Sequence, residues 1–275
     1  MILENKITEQ SSEFDDLELM SSEELLYAIN SEDAKVHTAV HKAIPQIETL
    51  VSKILEHIPF GGRVFYLGAG TSGRLGVLDA SELPPTFGVS PGIVVGLIAG
   101  GDTALRRAVE AAEDDPAKAW RELKDFGIND RDTVIGIAAS GTTPYVIGGV
   151  KDARAHGLLT GCITCNPKSP LAEAAEHPIE VVVGPEFVTG STRMKAGTAQ
   201  KMVLNMLSTT LMIKSGRVKG NKMINMQLTN NKLVDRGTRM IMEETGLTED
   251  QALALLLKHS SVKEAIQEMR AKNLC

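Results

Sequence analysis

Five short apolar runs, each closed by Gly, Ser or Thr residues, limit what this chain can fold into; they lie at 63–67, 93–99, 133–138, 159–164 and 179–183. Runs of this length with little polar alternation read as strands buried on both faces. The intervening stretches 74–81, 104–126, 145–156 and 171–176 read as helices. Strands alternating with helices predict a parallel sheet covered on both sides, a three-layer α/β/α sandwich. Ligands in such folds sit at the carboxyl ends of the strands, where the Gly/Ser/Thr loops fall.

Helical segments flank this middle region. Ser21-Ser22-Glu23-Glu24 has the form of a helix start, and a second amphipathic helix is expected over 35–57, with Pro45 inside it as a source of bending. Later come a mostly apolar helix over 195–214, another over 229–245, and a helical pair over 248–271 opened by the capping box Thr248-Glu-Asp-Gln251. The expected division is an N-terminal helical segment (1–58), a ligand-binding α/β domain (59–220) and a C-terminal helical region (221–275).

Composition removes several classes of function. A formal charge of −6 argues against a nucleic-acid partner, which would want a basic face. The apolar runs are too short to cross a bilayer, and no basic segment followed by an apolar one opens the chain, so a cytoplasmic location is expected. Cys162 and Cys165 share a CxxC spacing, but they fall in and after a strand-like run rather than at a helix start. Structural thiols are therefore the better reading than a redox pair. With no second CxxC or matching His pair, no metal site is expected.

Two loops stand out. Gly68-Ala-Gly70-Thr-Ser-Gly73 follows the first strand, and Ala139-Ser-Gly-Thr-Thr-Pro144 follows the third. The first formally satisfies the G-x-G-x-x-G dinucleotide pattern. A Rossmann site also wants an acidic residue about 20 positions on, at the end of the second strand. Here Asp102 falls well late, so a nicotinamide cofactor is disfavoured and no cofactor is expected. Thr71 and Ser72, with Ser140, Thr142 and Thr143, instead set five hydroxyls beside helix-start amides, an arrangement that suits a phosphate without a P-loop lysine. Either loop alone is equally read as helix capping; two in one sheet favour a sugar-phosphate site using Gly70, Thr71, Ser72, Gly73, Ser140, Gly141, Thr142 and Thr143.

Two carboxylates draw attention by context. Glu82, just before Leu83-Pro84-Pro85, is read as ending the helix launched by the first loop, beside Ser81; Glu113 lies on the helix expected after Gly100-Gly101, with Glu110 a competitor one turn away.

The motifs together form a recognisable set. Tyr66-Leu-Gly-Ala-Gly-Thr-Ser-Gly-Arg-Leu-Gly76, Leu78-Asp-Ala-Ser-Glu-Leu-Pro-Pro85, Val95-Gly-Leu-Ile-Ala-Gly-Gly101, Gly136-Ile-Ala-Ala-Ser-Gly-Thr-Thr-Pro-Tyr145 and Val188-Thr-Gly-Ser-Thr-Arg-Met-Lys-Ala-Gly-Thr-Ala-Gln-Lys201 closely resemble the N-acetylmuramic acid 6-phosphate etherases of the sugar isomerase (SIS) superfamily. The resemblance runs from about residue 4 to about residue 265. It implies an SIS fold, a homodimer with sites near the subunit boundary, and a UBA-like C-terminal region that the chain end at Cys275 leaves shorter than usual. It also implies cleavage of the D-lactyl ether of the sugar phosphate, with Glu82 as general acid and Glu113 as base. Glu186, Ser191, Thr192 and Lys195 are implied as further contacts, with Arg193 or Lys195 facing the lactate carboxylate or the phosphate.

The chemistry suits two carboxyl groups. Opening the sugar ring creates a C1 aldehyde that acidifies the C2 proton and places the C3 lactyl ether β to the carbonyl. A base at C2 and an acid at the ether oxygen then expel lactate, and water adds back at C3 with the roles reversed. Burial is expected to hold the acid protonated. No histidine is placed well enough to assign the ring opening. A non-catalytic sugar-phosphate sensor and an aldose–ketose isomerase are the alternatives; both would use the same loops.

Overall fold

The computed structural model describes residues 6–226, 228 and 231–272. It divides into two compact units, one of Met1–Ala80 with Val94–Thr209, the other of Ser81–Ile93 with Thr210–Cys275.

The first unit is built on five parallel strands: β1 (Val64–Gly68), β2 (Val94–Ile98), β3 (Thr133–Ile137), β4 (Leu159–Thr164) and β5 (His177–Glu180). Their order is β2-β1-β3-β4-β5. The order reverses between β1 and β3, which makes that pair the topological switch point of a doubly wound sheet. The two Gly/Ser/Thr loops follow these two strands.

Helices cover both faces, as the period-2 alternation of β-strands requires. Phe65, Leu67, Val134 and Cys162 join one core with Val146 and Val150 of α5 (Pro144–Ala155), Leu123 of α4 (Lys118–Asp125) and Leu171 of α6 (Pro170–Ala174). Residues one step along point the other way. At Gly161 a Cβ would meet Leu50 of α1 (Ser22–His57) at 2.6 Å, and Gly76 of α2 (Gly70–Phe87) packs on Tyr66 and Ile137. The expected three-layer α/β/α arrangement is therefore present.

Cys162 and Cys165 are buried and free, and burial pushes both thiols up to about 12. This bears out the structural reading. In a Cys275→Ser variant, a neutral-pH thiol reagent is expected to label neither Cys162 nor Cys165 until the chain is unfolded; rapid native labelling would contradict it.

Three expectations about helices need correction. The two N-terminal helices are one, the 36-residue α1, opened by a reciprocal Ser21–Glu24 capping box and running unbroken through Pro45. Between the two expected helices lies Glu32, which is buried and continues the inward row of Val36, Val40, Ala43 and Ile47. The helix expected over 104–126 is instead α3 (Thr103–Arg106), a 3-10 turn at Glu110–Glu113, and α4. Pro116 lies in the gap before α4, where it disfavours helical backbone at the residue before it. Finally, α2 does not stop near Glu82 but continues through Pro84 and Pro85 to Phe87.

The second unit contains the small hairpin β6 (Val218–Lys219) and β7 (Lys222–Met223), then α8 (Asn231–Thr245), α9 (Glu249–His259) and α10 (Val262–Lys272). Met240, Ile241, Ala252, Leu256, Val262 and Ile266 form its core. The Thr248–Gln251 capping box is present at the start of α9. Residues 229 and 230 of the helix expected over 229–245, and Cys275, lie outside the described residues. Helix α7 (Lys195–Lys214) has the bounds read from its sequence.

Candidate active site

The first loop is a close strand-to-helix turn. A Cβ at Gly68 would lie 2.6 Å from the Gly73 Cα, so neither position tolerates a side chain, and Gly70 starts α2 with φ +52. Thr71 and Ser72 fall in the first turn of that helix. Thr71 is half-buried; Ser72 is buried and donates its hydroxyl to Gln200 Oε1 of α7 at 2.9 Å. The hydroxyls thus do not act alike: Ser72 ties the start of α2 to α7.

A cavity of about 80 Å³ opens beside this loop, lined among others by Gly70, Arg74, Ala99, Val109 and Glu113. Arg74 on its wall donates from Nε to the Leu105 carbonyl at 3.1 Å. The 3-10 turn that replaced the expected helix is what delivers the exposed Glu113 to this wall. The Glu110 side chain lies outside the described ones. Glu82 and Ser81 are exposed on α2, within the second unit. The burial that the sequence reading expects of the acid is therefore not found at Glu82 in the single chain.

The second loop crosses from β3 to α5. Gly141 has φ +68, and a Cβ there would sit 2.2 Å from Ser169 Oγ, so glycine is required on both counts. Thr142 donates from its backbone N–H and from Oγ1 to Ser140 Oγ, at 3.3 and 3.0 Å. Thr143 is the N-cap of α5, yet its hydroxyl does not cap the helix. A cavity of about 260 Å³ is lined here by Lys6, Ser140, Thr142, Asn166, Lys168 and Ser169.

The third predicted block arranges itself differently from the sequence reading. Glu186, 1% exposed, accepts from the Lys195 and Ala196 amides at 2.9 Å each, capping α7 from a distance in sequence. Ser191 and Thr192, implied as sugar contacts, lie in the turn before that helix and are half-buried; Arg193 is exposed. Lys195 is 2% exposed and its ammonium donates to Glu32 Oε2 at 2.5 Å, so its charge is engaged inside the fold. Glu32 also receives Lys35 at 2.6 Å. Burial works against ionising Glu32, but the two ammonium groups win and hold its carboxyl below the usual range.

Sequence reasoning missed Lys6, Asn166 and Gln200. Lys6 and Asn166 have no motif or periodicity to mark them, and Gln200 lies in the 188–201 block without a signal of its own; each matters through contacts made far along the chain. Among the described residues no cluster of metal-ligating side chains occurs, and no helix is long and apolar enough to cross a membrane.

Comparison with known proteins gives a consistent outcome. Residues 46–154 match the family model for the glucokinase regulatory protein N-terminal SIS domain, and residues 117–210 match that for the SIS domain. An N-acetylmuramic acid 6-phosphate etherase of Bacteroides thetaiotaomicron is 66% identical over 98% of this chain and 97% of its own. One from Christiangramia forsetii is 66% identical over 94% of each. Among solved structures, a phosphoheptose isomerase from Francisella tularensis superposes with TM-score 0.54 at 17% identity, covering 70% of this chain and 98% of that one, a likeness of fold alone.

Proposed function

The chain belongs to the N-acetylmuramic acid 6-phosphate etherase family, and from that premise we propose how its residues divide the reaction. It is an etherase, a carbon–oxygen lyase that releases D-lactate from N-acetylmuramic acid 6-phosphate and leaves N-acetylglucosamine 6-phosphate, in amino sugar catabolism and cell-wall recycling.

The observation that carries the site assignment is Glu113 on one cavity wall with Gly70 and Arg74, at the carboxyl ends of β1 and β2. In this reading the loops after β1 and β3 hold the 6-phosphate at the switch point, through Gly70, Thr71, Gly73, Ser140, Gly141, Thr142 and Thr143. Ser72 steadies the first loop through Gln200, and Glu186 sets the start of α7 so that Ser191 and Thr192 can meet the sugar. Lys195 fixes the same helix start against Glu32.

Glu113 takes the C2 proton of the open-chain aldehyde. Glu82, beside Ser81, gives a proton to the departing lactyl oxygen, and water then adds at C3 with both transfers reversed. The sugar aldehyde acidifies C2, so the scheme uses no metal or organic cofactor. Because both carboxyls are exposed in the single chain, we assign their desolvation to a second copy in a homodimer, acting in the cytoplasm.

Incubation with N-acetylmuramic acid 6-phosphate is expected to release D-lactate stoichiometrically, at the same rate after EDTA treatment. Sugar-phosphate binding without lactate would support the sensor reading instead, and loss of rate with EDTA would overturn the metal-free scheme.

A further inference from the structure

The hydroxyl loops leave a charge question open. A sugar 6-phosphate is close to a dianion at neutral pH, whereas the second loop, 139–144, contains hydroxyls and amides but no cation. The structure brings one to it from the other end of the chain. Lys6 Nζ donates to Thr142 Oγ1 at 3.0 Å, across 136 residues of sequence, and lines the 260 Å³ cavity with Ser140, Thr142 and Ser169.

This placement is held by a built anchor. Two residues on, Thr8 is fully buried; its amide donates to Asn166 Oδ1 at 3.2 Å and its Oγ1 accepts from Asn166 Nδ2 at 2.8 Å. The same Nδ2 donates to the Ala139 and Ser140 carbonyls, both at 3.2 Å, so one amide side chain fixes the N-terminal segment and the second loop to each other. Further along, Ser12 Oγ donates to the Phe187 carbonyl at 2.8 Å and the Ser12 amide donates to Thr189 Oγ1 at 2.9 Å. Phe14 packs on Phe187 with ring centroids 4.9 Å apart. The segment from Lys6 to Phe14 is thus a strap over the carboxyl ends of β3 and β4, with Lys6 as its charged tip.

We propose that Lys6 is a substrate-binding residue, supplying the positive charge that pairs with the 6-phosphate held by Ser140 and Thr142. The inference rests on the assignment of the second loop to the phosphate. Lys168, on the same cavity, is the competing cation; its backbone is held at φ +53 and its amide donates to Glu180.

The test uses the full chain, with KM and kcat for D-lactate release and the inhibition constant of inorganic phosphate measured for Lys6→Met, Lys6→Arg, Lys168→Met and Thr142→Val. Loss of one charge-assisted hydrogen bond to a phosphate predicts that Lys6→Met raises KM and the phosphate inhibition constant together by roughly tenfold, with kcat within about twofold. Lys6→Arg should restore most of both, and Lys168→Met should change neither. If Thr142→Val weakens phosphate but Lys6→Met does not, the role of Lys6 is overturned while the loop assignment stands. If neither variant weakens it, the loop assignment itself fails and takes the inference with it. If Lys6→Met lowers kcat alone, or Lys168→Met gives the larger effect, Lys6 is not the phosphate cation.

Discussion

A Glu113→Gln enzyme is expected to lose D-lactate release by roughly 10²–10⁴-fold, the range of one general-base contribution, and to stop exchanging the substrate C2 proton with deuterated solvent. Glutamine keeps the shape of the side chain on the wall shared with Gly70 and Arg74, so binding should be little changed and the loss should sit in kcat. The two carboxyls separate in their expected signatures. A Glu82→Ala enzyme should fail to expel lactate yet still exchange C2, because proton removal precedes departure of the ether oxygen. Exchange that survives in the Glu113 variant would reject the assignment and return attention to neighbouring acids such as Glu110.

The largest effect on stability should come from Glu32→Leu. It leaves Lys195, 2% exposed, as a cation inside the fold without its carboxylate, a situation that costs about 3–5 kcal/mol. Changing both residues, as Glu32→Leu with Lys195→Met, should cost less than the single change, since no charge is then stranded. The acid limb gives a second reading. The Glu32 carboxyl is held below its ordinary value, so its contribution is complete above the unfolded-chain value of roughly 4.3 and fades as pH falls through the lower folded value. Thermal melts at a series of pH values should therefore show the wild-type advantage over the double variant shrinking in acid. Equal melting points for single and double variants at neutral pH would rule out a stranded charge.

Much of this architecture is legible because buried parallel strands and Gly-rich loops are local signals. The bounds of α7 and β4 follow from their apolar runs, and both loops fall where strand ends predict. The features that escape are those set by partners remote in sequence. Glu32 looks like an interruption until Lys195 is opposite it. Glu186 has no helix-start signature because it caps a helix nine residues away. Pro84 and Pro85 read as a stop, yet the Gly88 amide still donates to the Pro84 carbonyl at 2.9 Å and the helix closes beyond them. Lys6 lies in a segment with no periodicity, and only the fold brings it to Thr142.

The strap also fixes an order of events during synthesis. Its hydrogen bonds join residues separated by 158, 175 and 177 positions, and the Glu32–Lys195 pair spans 163. Nothing made in the first part of translation can supply the Asn166 partner of Thr8, the Phe187 and Thr189 partners of Ser12 or the Lys195 partner of Glu32. The segment from Lys6 to Phe14 therefore finishes folding after β1 to β5 have emerged, and the loop it closes is among the longest in the chain. A nascent chain arrested before residue 166 would hold the sheet's first strands but not the clamp on the second loop, and competence for substrate would arrive late and in one step.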